Sequence, residues 1–361
     1  MEVEEVYAAV LAAGLGTRMR SARPKVLHPL LGRPMLIRLL ETVAALSPRE
    51  TILVVGHGAD QIRQLVGERV RYALQAEQLG TGHALAAAVA ALPEAEGDLL
   101  VLYGDMPLLT AETLRRLLAH HRAAEADATL VTTELGPESR FGRIVRDGEG
   151  RFERIVEYKD ATPAEREIGE VNAGVYCFRL GPLRAVLPRL GRANAQGEYY
   201  LTDLFPLIAA AGGRVEAVSL GRPEEFQGPN DRRELAAAER RLREEINARW
   251  LLDGVTMIDP AATYIEEEVE IGRDTIIYPG TVISGRSVIG EGCRLGPSAE
   301  IRDSRLGDGV SVAHSVVVET EVGPGERIGP FVYLRRGVAT GGAIPAATGP
   351  RKWNGLRRPS G

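Results

Sequence analysis

The chain has 361 residues, of which 44% are hydrophobic, so it can form large cores in two or three domains. Its net charge of −5 argues against a dedicated nucleic-acid binder, which is usually basic. The first residues are acidic where a secretory signal is basic, and no apolar run reaches the roughly 20 residues of a membrane span. Cys177 and Cys293 form no metal or redox motif, so we expect a cytoplasmic protein. From the charge and the lack of a long apolar run, we expect it to contact neither nucleic acid nor membrane.

Residues 1–229 alternate short apolar runs with segments rich in Ala, Leu and Arg. The runs are typical of buried strands, predicted at Val6–Val10, Thr51–Val55, Leu99–Tyr103 and Ala128–Thr132. The segments between them carry an apolar stripe typical of helices, predicted at 34–45, 59–67, 82–92 and 111–123. This rhythm predicts an α/β domain with a mostly parallel sheet covered on both faces, and ligands of such sheets bind at the carboxyl ends of the strands.

The first predicted strand leads into a glycine-rich basic loop, Leu11–Lys25. Gly14 and Gly16 let the backbone approach a ligand closely, and four basic residues between Arg18 and Lys25 supply positive charge. A strand followed by such a loop indicates a phosphate-binding site. The loop is neither a dinucleotide fingerprint, because Met19 stands at the third glycine position, nor a P-loop. The alternative is an ordinary strand-to-helix turn with a solvated basic face.

Further polar residues follow other predicted strands. The Tyr103-Gly104-Asp105 turn places a carboxylate at a strand end, where it can reach a metal ion held between phosphates. The turn from Gln75 to His83 offers an amide and small residues to a base edge and a ribose. Glu157 and Asn172 lie beside strand-like runs and suit sugar hydroxyls. Taken singly, Asp105 is better explained as a turn cap, and the Gln75–His83 turn is weak evidence. Glu157 and Asn172 are as compatible with a structural role as with binding.

The pattern changes after residue 229. Asn230-Asp231 can cap a charged helix over Glu234–Leu252, which Asp253-Gly254 can end, so residues 230–254 are predicted to be a linker helix. From 255 to 337, aliphatic residues recur every six positions, with slips at Leu306 and after Val318, as expected for the hexapeptide repeats of a parallel β-helix. We expect residues 338–361, which have no aliphatic period and no acidic residue, to be a disordered tail. The predicted inward residues are Ile265, Ile271, Ile277, Ile283, Ile289, Leu295, Ile301, Leu306, Val312, Val318, Val322, Ile328 and Leu334.

Residues 1–337 resemble the bacterial family of bifunctional N-acetylglucosamine-1-phosphate uridylyltransferase/glucosamine-1-phosphate acetyltransferase enzymes. The resemblance rests on motifs in matching order and spacing, and Gln75–His83 and Asn194–Asp203 are its more specific pieces. The other matching pieces are Leu11–Arg18, Arg23-Pro24-Lys25, Tyr103-Gly104-Asp105, Phe141–Ile144, Ile155–Asp160, Val171–Gly174 and Gly228-Pro229-Asn230. It implies a Rossmann-like nucleotidyltransferase domain with a mixed, mostly parallel sheet, a linker helix and a short left-handed parallel β-helix.

The resemblance also implies an activity: Mg²⁺-dependent transfer of UMP from UTP to N-acetylglucosamine 1-phosphate, giving UDP-N-acetylglucosamine and pyrophosphate for cell-wall precursors. By position, the family's site residues fall into five groups. Arg18 and Lys25 neutralise phosphates as the catalytic cations, and Asp105 and Asn230 bind Mg²⁺. Leu11, Ala12, Ala13 and Gly14 line the uracil and ribose, and Gln75, Gly80 and Thr81 read the uracil. Tyr103, Gly142, Glu157 and Asn172 hold the ribose or N-acetylglucosamine, and Gly104 is a further substrate-binding residue.

The family pattern departs near the C-terminus. Arg335 resembles a sugar-phosphate ligand of the family's second, acetyl-transferring site, but Arg336 stands where the family has proline, and the sequence after Gly337 is unrelated. We therefore expect neither acetyltransferase activity nor acetyl-CoA binding, and assembly as a homotrimer is the expected oligomer. Two alternatives stay open: a nucleotidylyltransferase for a different sugar 1-phosphate or triphosphate, and a non-catalytic scaffold assembled through its β-helix.

Overall fold

The structure, a computed structural model, describes residues 5–92, 96–336 and the backbone of 338–339. This part of the chain forms two compact units: residues up to 29 together with 33–235, and residues 30–32 together with those from 236 onward. The predicted domain limits at 229, 254 and 337 stay predictions. Among the described residues, no helix is both long enough and apolar enough to cross a membrane.

The first unit is built from strands, α-helices and short 3₁₀ helices. Its strands are β1 (Val6–Leu11), β2 (Pro29–Leu30), β3 (Arg33–Pro34), β4 (Glu50–Val55), β5 (Arg71–Leu74), β6 (Asp98–Tyr103), β7 (Ala128–Glu134), β8 (Arg143–Arg146), β9 (Phe152–Val156), β10 (Glu170–Arg179) and β11 (Val215–Ser219). The helices are α1 (Met35–Ala44), α2 (Ala59–Val66), α3 (Thr81–Ala90), α4 (Ala111–Ala123), α5 (Pro163–Arg166), α6 (Leu180–Val186) and α7 (Leu204–Ala210), and α8 (Arg232–Leu252) continues into the second unit. Short 3₁₀ helices lie at Thr17–Met19, Lys25–Leu27, Leu187–Arg189, Leu201–Asp203 and Pro223–Phe226.

The main sheet has the order β11-β7-β10-β6-β1-β4-β5. Strand β10 runs antiparallel to both β6 and β7, and the other six strands of this order share one direction. The α/β prediction is confirmed, and the eight predicted elements match observed ones to within two residues at each end. The sequence pattern did not predict β10, and the pair β8–β9 attaches to it.

Strand β1 shows why this sequence forms a central strand. All but its first residue are buried, and successive side chains enter different cores, Tyr7 and Ala9 on one face and Ala8 and Val10 on the other. A continuous apolar run suits this environment because both faces of a covered parallel sheet exclude water. The carboxyl ends of β1 and β6 coincide, since Leu11 is the partner of Tyr103.

In α8, the predicted cap and end are both observed. The Asp231 Oδ1 accepts hydrogen bonds from the backbone N–H of Arg233 at 2.8 Å and of Glu234 at 3.0 Å. A carboxylate at this position satisfies N–H groups that have no partner within the helix. The other end closes with Gly254 at φ +93°, a conformation that glycine adopts without strain.

The second unit is a parallel β-helix. Its strands are β12 (Thr256–Met257), β13 (Tyr264–Ile265), β14 (Glu270–Ile271), β15 (Ile276–Ile277), β16 (Val282–Ser284), β17 (Val288–Ile289), β18 (Arg294–Leu295), β19 (Glu300–Arg302), β20 (Arg305–Leu306), β21 (Ser311–Val312), β22 (Val316–Val318), β23 (Glu321–Val322), β24 (Arg327–Ile328), β25 (Tyr333–Arg335) and β26 (Val338–Ala339). Each strand pairs in parallel with the strand three places further along the chain, which gives three sheets of five strands. Its handedness stays a prediction. Strand β26 lies beyond Gly337, where the repeats were expected to end, and residues 340–361 of the predicted tail lie outside the described residues.

One predicted inward residue of the β-helix is wrong. Ile301 pairs with Val317, so Val317 takes the repeat position predicted for Val318. The reason is a shortened corner between neighbouring strands. At the corner before Val317, His314 has φ +46° and the Ser315 hydroxyl donates to the carbonyl of Ala313, two residues back, at 2.8 Å. This tight closure removes one residue from the six-residue period.

Candidate nucleotide-binding site

The glycine-rich loop and the Tyr103-Gly104-Asp105 turn leave the sheet side by side. The backbone N–H of Gly104 donates to the carbonyl of Leu11 at 2.8 Å, and a Cβ on Gly104 would lie 3.0 Å from the Cβ of Ala12. Gly104 therefore allows the two chain segments to pack closely, and it does not line the pocket. The close packing brings the functional side chains of the two segments to one edge of the sheet.

A pocket of about 500 Å³ opens at this edge, and its wall unites twelve of the predicted site residues. These are Leu11, Ala12, Ala13, Gly14, Arg18, Lys25, Gln75, Gly80, Thr81, Tyr103, Asp105 and Asn230. Their positions in the chain span more than two hundred residues, so only the folded sheet brings them together. The volume lies in the range of sites that bind small molecules.

Within the loop, Gly16 makes room for Lys25. Gly16 has φ +58°, and a Cβ at this position would lie 2.6 Å from the Cβ of Lys25. A Cβ on Gly14 would meet no atom within 4 Å, so the backbone of Gly14 at the pocket wall faces open space. The two glycines thus differ: Gly16 is required by the packing of the loop, and Gly14 leaves the backbone accessible.

The charged centre of the pocket is formed by Lys25, Asp105, Asn230 and Arg18. The Lys25 ammonium forms an ion pair with Asp105 Oδ2 and donates to Asn230 Oδ1 at 2.8 Å. The Arg18 guanidinium donates to the same Asn230 oxygen at 2.9 Å. The two predicted metal ligands therefore direct oxygen atoms at one positive charge. Gly228 permits this approach, since a Cβ there would lie 2.8 Å from the Asp105 carboxyl carbon.

On another wall, the Gln75–His83 turn packs against the segment 194–203. The Gln75 Nε2 donates to the carbonyl of Gly80 at 3.0 Å, which fixes the turn internally. The backbone N–H of Leu201 donates to Thr81 Oγ1 at 3.0 Å, and a Cβ on Gly80 would lie 2.5 Å from the carbonyl oxygen of Tyr199. The two motifs thus form one structural unit at the pocket wall.

Glu157, Asn172 and Gly142 lie close to one another but are not part of the pocket wall. The N–H of Asn172 donates to the carbonyl of Gly142 at 2.8 Å, and a Cβ on Gly142 would lie 3.5 Å from Glu157 Oε2. Thr202 donates to Glu157 Oε1 at 3.0 Å. Burial raises the pKa of Glu157, and the carboxylates of Asp203 and Asp160 raise it further, against the opposing effect of the Thr202 hydrogen bond.

Tyr103 connects this group to the pocket. Its hydroxyl lies 3.5 Å from that of Tyr176, which accepts a hydrogen bond from Asn172 Nδ2 at 2.8 Å. Tyr103 itself lines the pocket, and burial raises its pKa to about 12. The predicted sugar-binding residues are therefore joined to the nucleotide side by a chain of side-chain contacts.

Arg335 belongs to the second unit and is not in the pocket wall. Its side chain is half-exposed, and its Nε lies 3.8 Å from the Glu319 carboxylate. Ten pocket residues were not among the predicted site residues, and three of them are Gln78, Phe141 and Glu198. The signal for these three was present, because each lies within one of the matching motifs, but the sequence does not show which side chains of those turns face inward.

A nucleoside triphosphate presents several negative charges and a flat base, and this pocket offers cations, oxygen ligands and a narrow wall of small residues to match them. The class of protein is a nucleotidyltransferase. A family model described as a MobA-like NTP transferase domain matches residues 8–249, and one described as bacterial transferase hexapeptide (six repeats) matches residues 268–303.

Curated relatives extend the comparison across both units. The bifunctional protein GlmU of Halalkalibacterium halodurans is 48% identical over 329 residues, which cover 91% of this chain and 72% of the relative. The protein of the same name from Geobacillus thermodenitrificans is 49% identical over 329 residues, with the same coverage of 91% and 72%. That of Caldanaerobacter subterraneus is 45% identical over 333 residues, covering 92% and 72%. The chain belongs to the GlmU family, and its NTP transferase domain makes it a sugar-phosphate nucleotidyltransferase.

Proposed function

We propose that the chain transfers UMP from UTP to N-acetylglucosamine 1-phosphate and releases pyrophosphate, with Mg²⁺ as its cofactor. The observation that carries the proposal is the charged centre, in which Lys25 and Arg18 meet the oxygen atoms of Asp105 and Asn230 inside a pocket of about 500 Å³. The centre supplies positive charge for phosphates and hard oxygen ligands for a cation at the same point.

The residues suit phosphoryl transfer in particular. The attacking phosphate of a sugar 1-phosphate is already ionised, so the reaction needs no side-chain base to remove a proton. What it needs is alignment of two anions and stabilisation of charge on the equatorial oxygens of the reacting phosphorus. Lys25 and Arg18 are placed to align the anions and to stabilise this charge, because both charged groups donate to the Asn230 oxygen and so lie close together in the pocket.

The donor set of Asp105 and Asn230 fits Mg²⁺. One carboxylate oxygen and one amide oxygen already converge on the Lys25 ammonium, so this point favours a positive charge. Mg²⁺ is commonly bound by one or two protein oxygens, with waters and substrate phosphates as the other ligands. When bound, it neutralises charge that develops on the phosphates. Lys25 would then be available to a phosphate oxygen.

The proposal assigns the base and the sugar to two different groups of residues. In the proposal, the turn containing Gln75, Gly80 and Thr81 reads the uracil, with Leu11–Gly14 beside it. Glu157 and Asn172 bind the sugar hydroxyls from the other side. Support comes from their connection through Tyr103, which lies in the pocket wall and contacts Tyr176.

The experiment that tests the proposal measures pyrophosphate release from a panel of nucleoside triphosphates and sugar 1-phosphates, with and without Mg²⁺. We expect UTP with N-acetylglucosamine 1-phosphate to give the highest kcat/KM and chelation to abolish turnover. Preference for another base or sugar would assign the chain to a different sugar nucleotidylyltransferase. Lack of turnover with every pair would favour the non-catalytic scaffold.

We further propose that a polypeptide of these 361 residues does not acetylate glucosamine 1-phosphate. Support comes from Arg335, whose neighbour Glu319 lies against both Arg335 and Arg336 and leaves the guanidinium at the surface of the β-helix. Product formed from acetyl-CoA by the purified protein would overturn this proposal. We also propose that the chain assembles as a homotrimer, which sedimentation tests, and that it is cytoplasmic. The cytoplasmic location is supported by Cys177 and Cys293, which are buried and form no disulfide.

A further inference from the structure

Tyr176 is a buried tyrosine with its hydroxyl between two predicted substrate ligands. It lies in β10 with 0% of its surface exposed, and its hydroxyl accepts from Asn172 Nδ2 at 2.8 Å and lies 3.5 Å from the hydroxyl of Tyr103. None of the sequence motifs includes Tyr176. It is not part of the pocket wall, so any role in the reaction acts through its neighbours.

A distortion of β10 makes this contact possible. The register of β10 against β7 shifts between Asn172 and Tyr176, and Gly174 in this stretch has φ +76°. The N–H of Gly174 donates to Asn172 Oδ1 at 3.1 Å, which fixes the orientation of that amide with its Nδ2 towards Tyr176. A Cβ on Gly174 would lie 2.8 Å from Tyr103 Cε2, so the bulge also seats Tyr103 against the strand.

The donors and acceptors in this chain set its direction. An amide Nδ2 can only donate, so the Tyr176 oxygen accepts from Asn172 and its own proton is available to Tyr103. The Tyr103 oxygen can thus accept from Tyr176, and its own proton is then left for the pocket.

We propose that Tyr176 is a positioning residue that fixes Tyr103 as a hydrogen-bond donor to an oxygen of the sugar phosphate. This inference rests on the proposed function, and it assigns the donor to the sugar phosphate because Tyr176 is anchored by Asn172, on the sugar side of the site. The oxygen that it recognises is an acceptor, such as a hydroxyl or an amide carbonyl oxygen.

The protonation state of Tyr176 supports the same direction. Burial raises the pKa of Tyr176 well above its ordinary value, so this hydroxyl keeps the proton that it can donate to Tyr103.

The test uses steady-state kinetics of the full chain with UTP and the sugar 1-phosphate that the wild type uses best in the panel. We expect Tyr176→Phe to raise the KM for the sugar 1-phosphate about tenfold, the effect of one lost hydrogen bond, and to change the KM for UTP less than about twofold. Tyr103→Phe should raise the same KM by a similar factor. The double variant should be little worse than Tyr103→Phe alone, because the two hydroxyls act as one unit.

Tyr7→Phe is the matched control. Tyr7 is a fully buried tyrosine in the same sheet, and its hydroxyl donates to Glu5 at 2.8 Å, so its loss can lower the melting temperature but should leave both KM values unchanged. Equal rises in both KM values, an unchanged KM for the sugar, or additive effects in the double variant would overturn the inference. A wild type selective for a different sugar would overturn the proposed substrate alone, and one without turnover would overturn both.

Discussion

The two units use polar residues at their strand ends in opposite ways. In the first unit, the strand ends bring together residues distant in the chain: Lys25 pairs with Asp105, 80 positions away, and Arg18 with Asn230, 212 positions away. In the β-helix, the hydroxyl of Ser287 donates to the carbonyl of Ser284, three positions away, and closes its own corner. This hydroxyl is therefore engaged by the backbone of its own corner. The comparison teaches that a polar strand end becomes a site when its partners come from elsewhere in the fold.

The largest expected effect tests the long-range side of this comparison. Asp105→Ala should lower kcat by roughly 10²–10³-fold, the scale of removing one charge-stabilising group. The melting temperature should change little, because the Asp105 side chain is 23% exposed and lies in the pocket wall. The measurement is pyrophosphate release against Mg²⁺ concentration, with Asp147→Asn, a surface carboxylate paired with Arg151, as the control. A variant that keeps a large share of its Mg²⁺-dependent turnover would show that Asp105 is not part of the site.

The next effect belongs to the repeated core of the β-helix. Leu295 is fully buried, and Leu295→Ala should destabilise the second unit by about 2–5 kcal/mol. The kinetics of pyrophosphate release should be unchanged at 25 °C, because the pocket residues all belong to the first unit. Denaturant unfolding of this variant and of Leu252→Ala, at an exposed position, measures the difference. A comparable cost at both positions would contradict the buried position of Leu295.

A smaller effect tests closure at a corner. The hydroxyl of Ser304 donates to the carbonyl of Arg302 at 2.7 Å and accepts from the N–H of Thr320 at 3.2 Å. Ser304→Ala leaves both backbone groups without this partner and should cost about 1–2 kcal/mol, with no effect on kcat or KM. Unfolding in urea, together with kinetics over a range of substrate concentrations, tests this prediction. A changed KM would mean that the corners are not purely structural.

The smallest expected effect is a pH-dependent change in stability at Glu157, a proposed sugar ligand. The pKa of Glu157 is raised by burial and by Asp203 and Asp160, so the folded state binds its proton more tightly than the unfolded chain does. The charged form is then a cost to stability, which grows as pH rises from the ordinary glutamate value of about 4.3 through the raised pKa. Glu157→Gln should stabilise the protein at pH 8 by on the order of 1 kcal/mol and less at pH 5.

The same Glu157→Gln variant should bind the sugar phosphate more weakly, and Glu153→Gln, an exposed residue of β9, is its control. Melting temperatures at the two pH values and the KM for the sugar 1-phosphate are the measurements. A stability difference that grows towards acid would reverse the assigned direction of the pKa shift. An unchanged KM would remove Glu157 from the proposed sugar ligands.

The sequence predicted the regular parts of the fold because their signals are local. The strands on both sides of β1 are apolar runs, and the β-helix repeats its aliphatic residues at fixed spacing. Strand β10 carried a weaker signal, since Asn172 and Gly174 interrupt it at the bulge. The aliphatic period points to Val318 in place of Val317 because it does not show which corner loses a residue.

The candidate site was predictable as a set of segments rather than as a set of side chains. Phe141 stands directly before a predicted ligand, Gly142, and yet only Phe141 is in the pocket wall. Tyr176 is a different case, because an aromatic residue in an apolar run is typical of a core. Its hydroxyl gains a role from the bulge that turns it towards Asn172 and Tyr103, and such a long-range contact has no signature in the sequence.

The position of the Lys25 ammonium has a consequence for the order of events at the pocket. It acts as a built-in counter-ion that contacts both Asp105 and Asn230. An anion that draws the ammonium away frees the Asp105 oxygen for another cation and leaves Arg18 as the donor to Asn230 Oδ1. Capture of the anion and capture of the cation are thereby coupled through one flexible side chain, so each should strengthen the binding of the other.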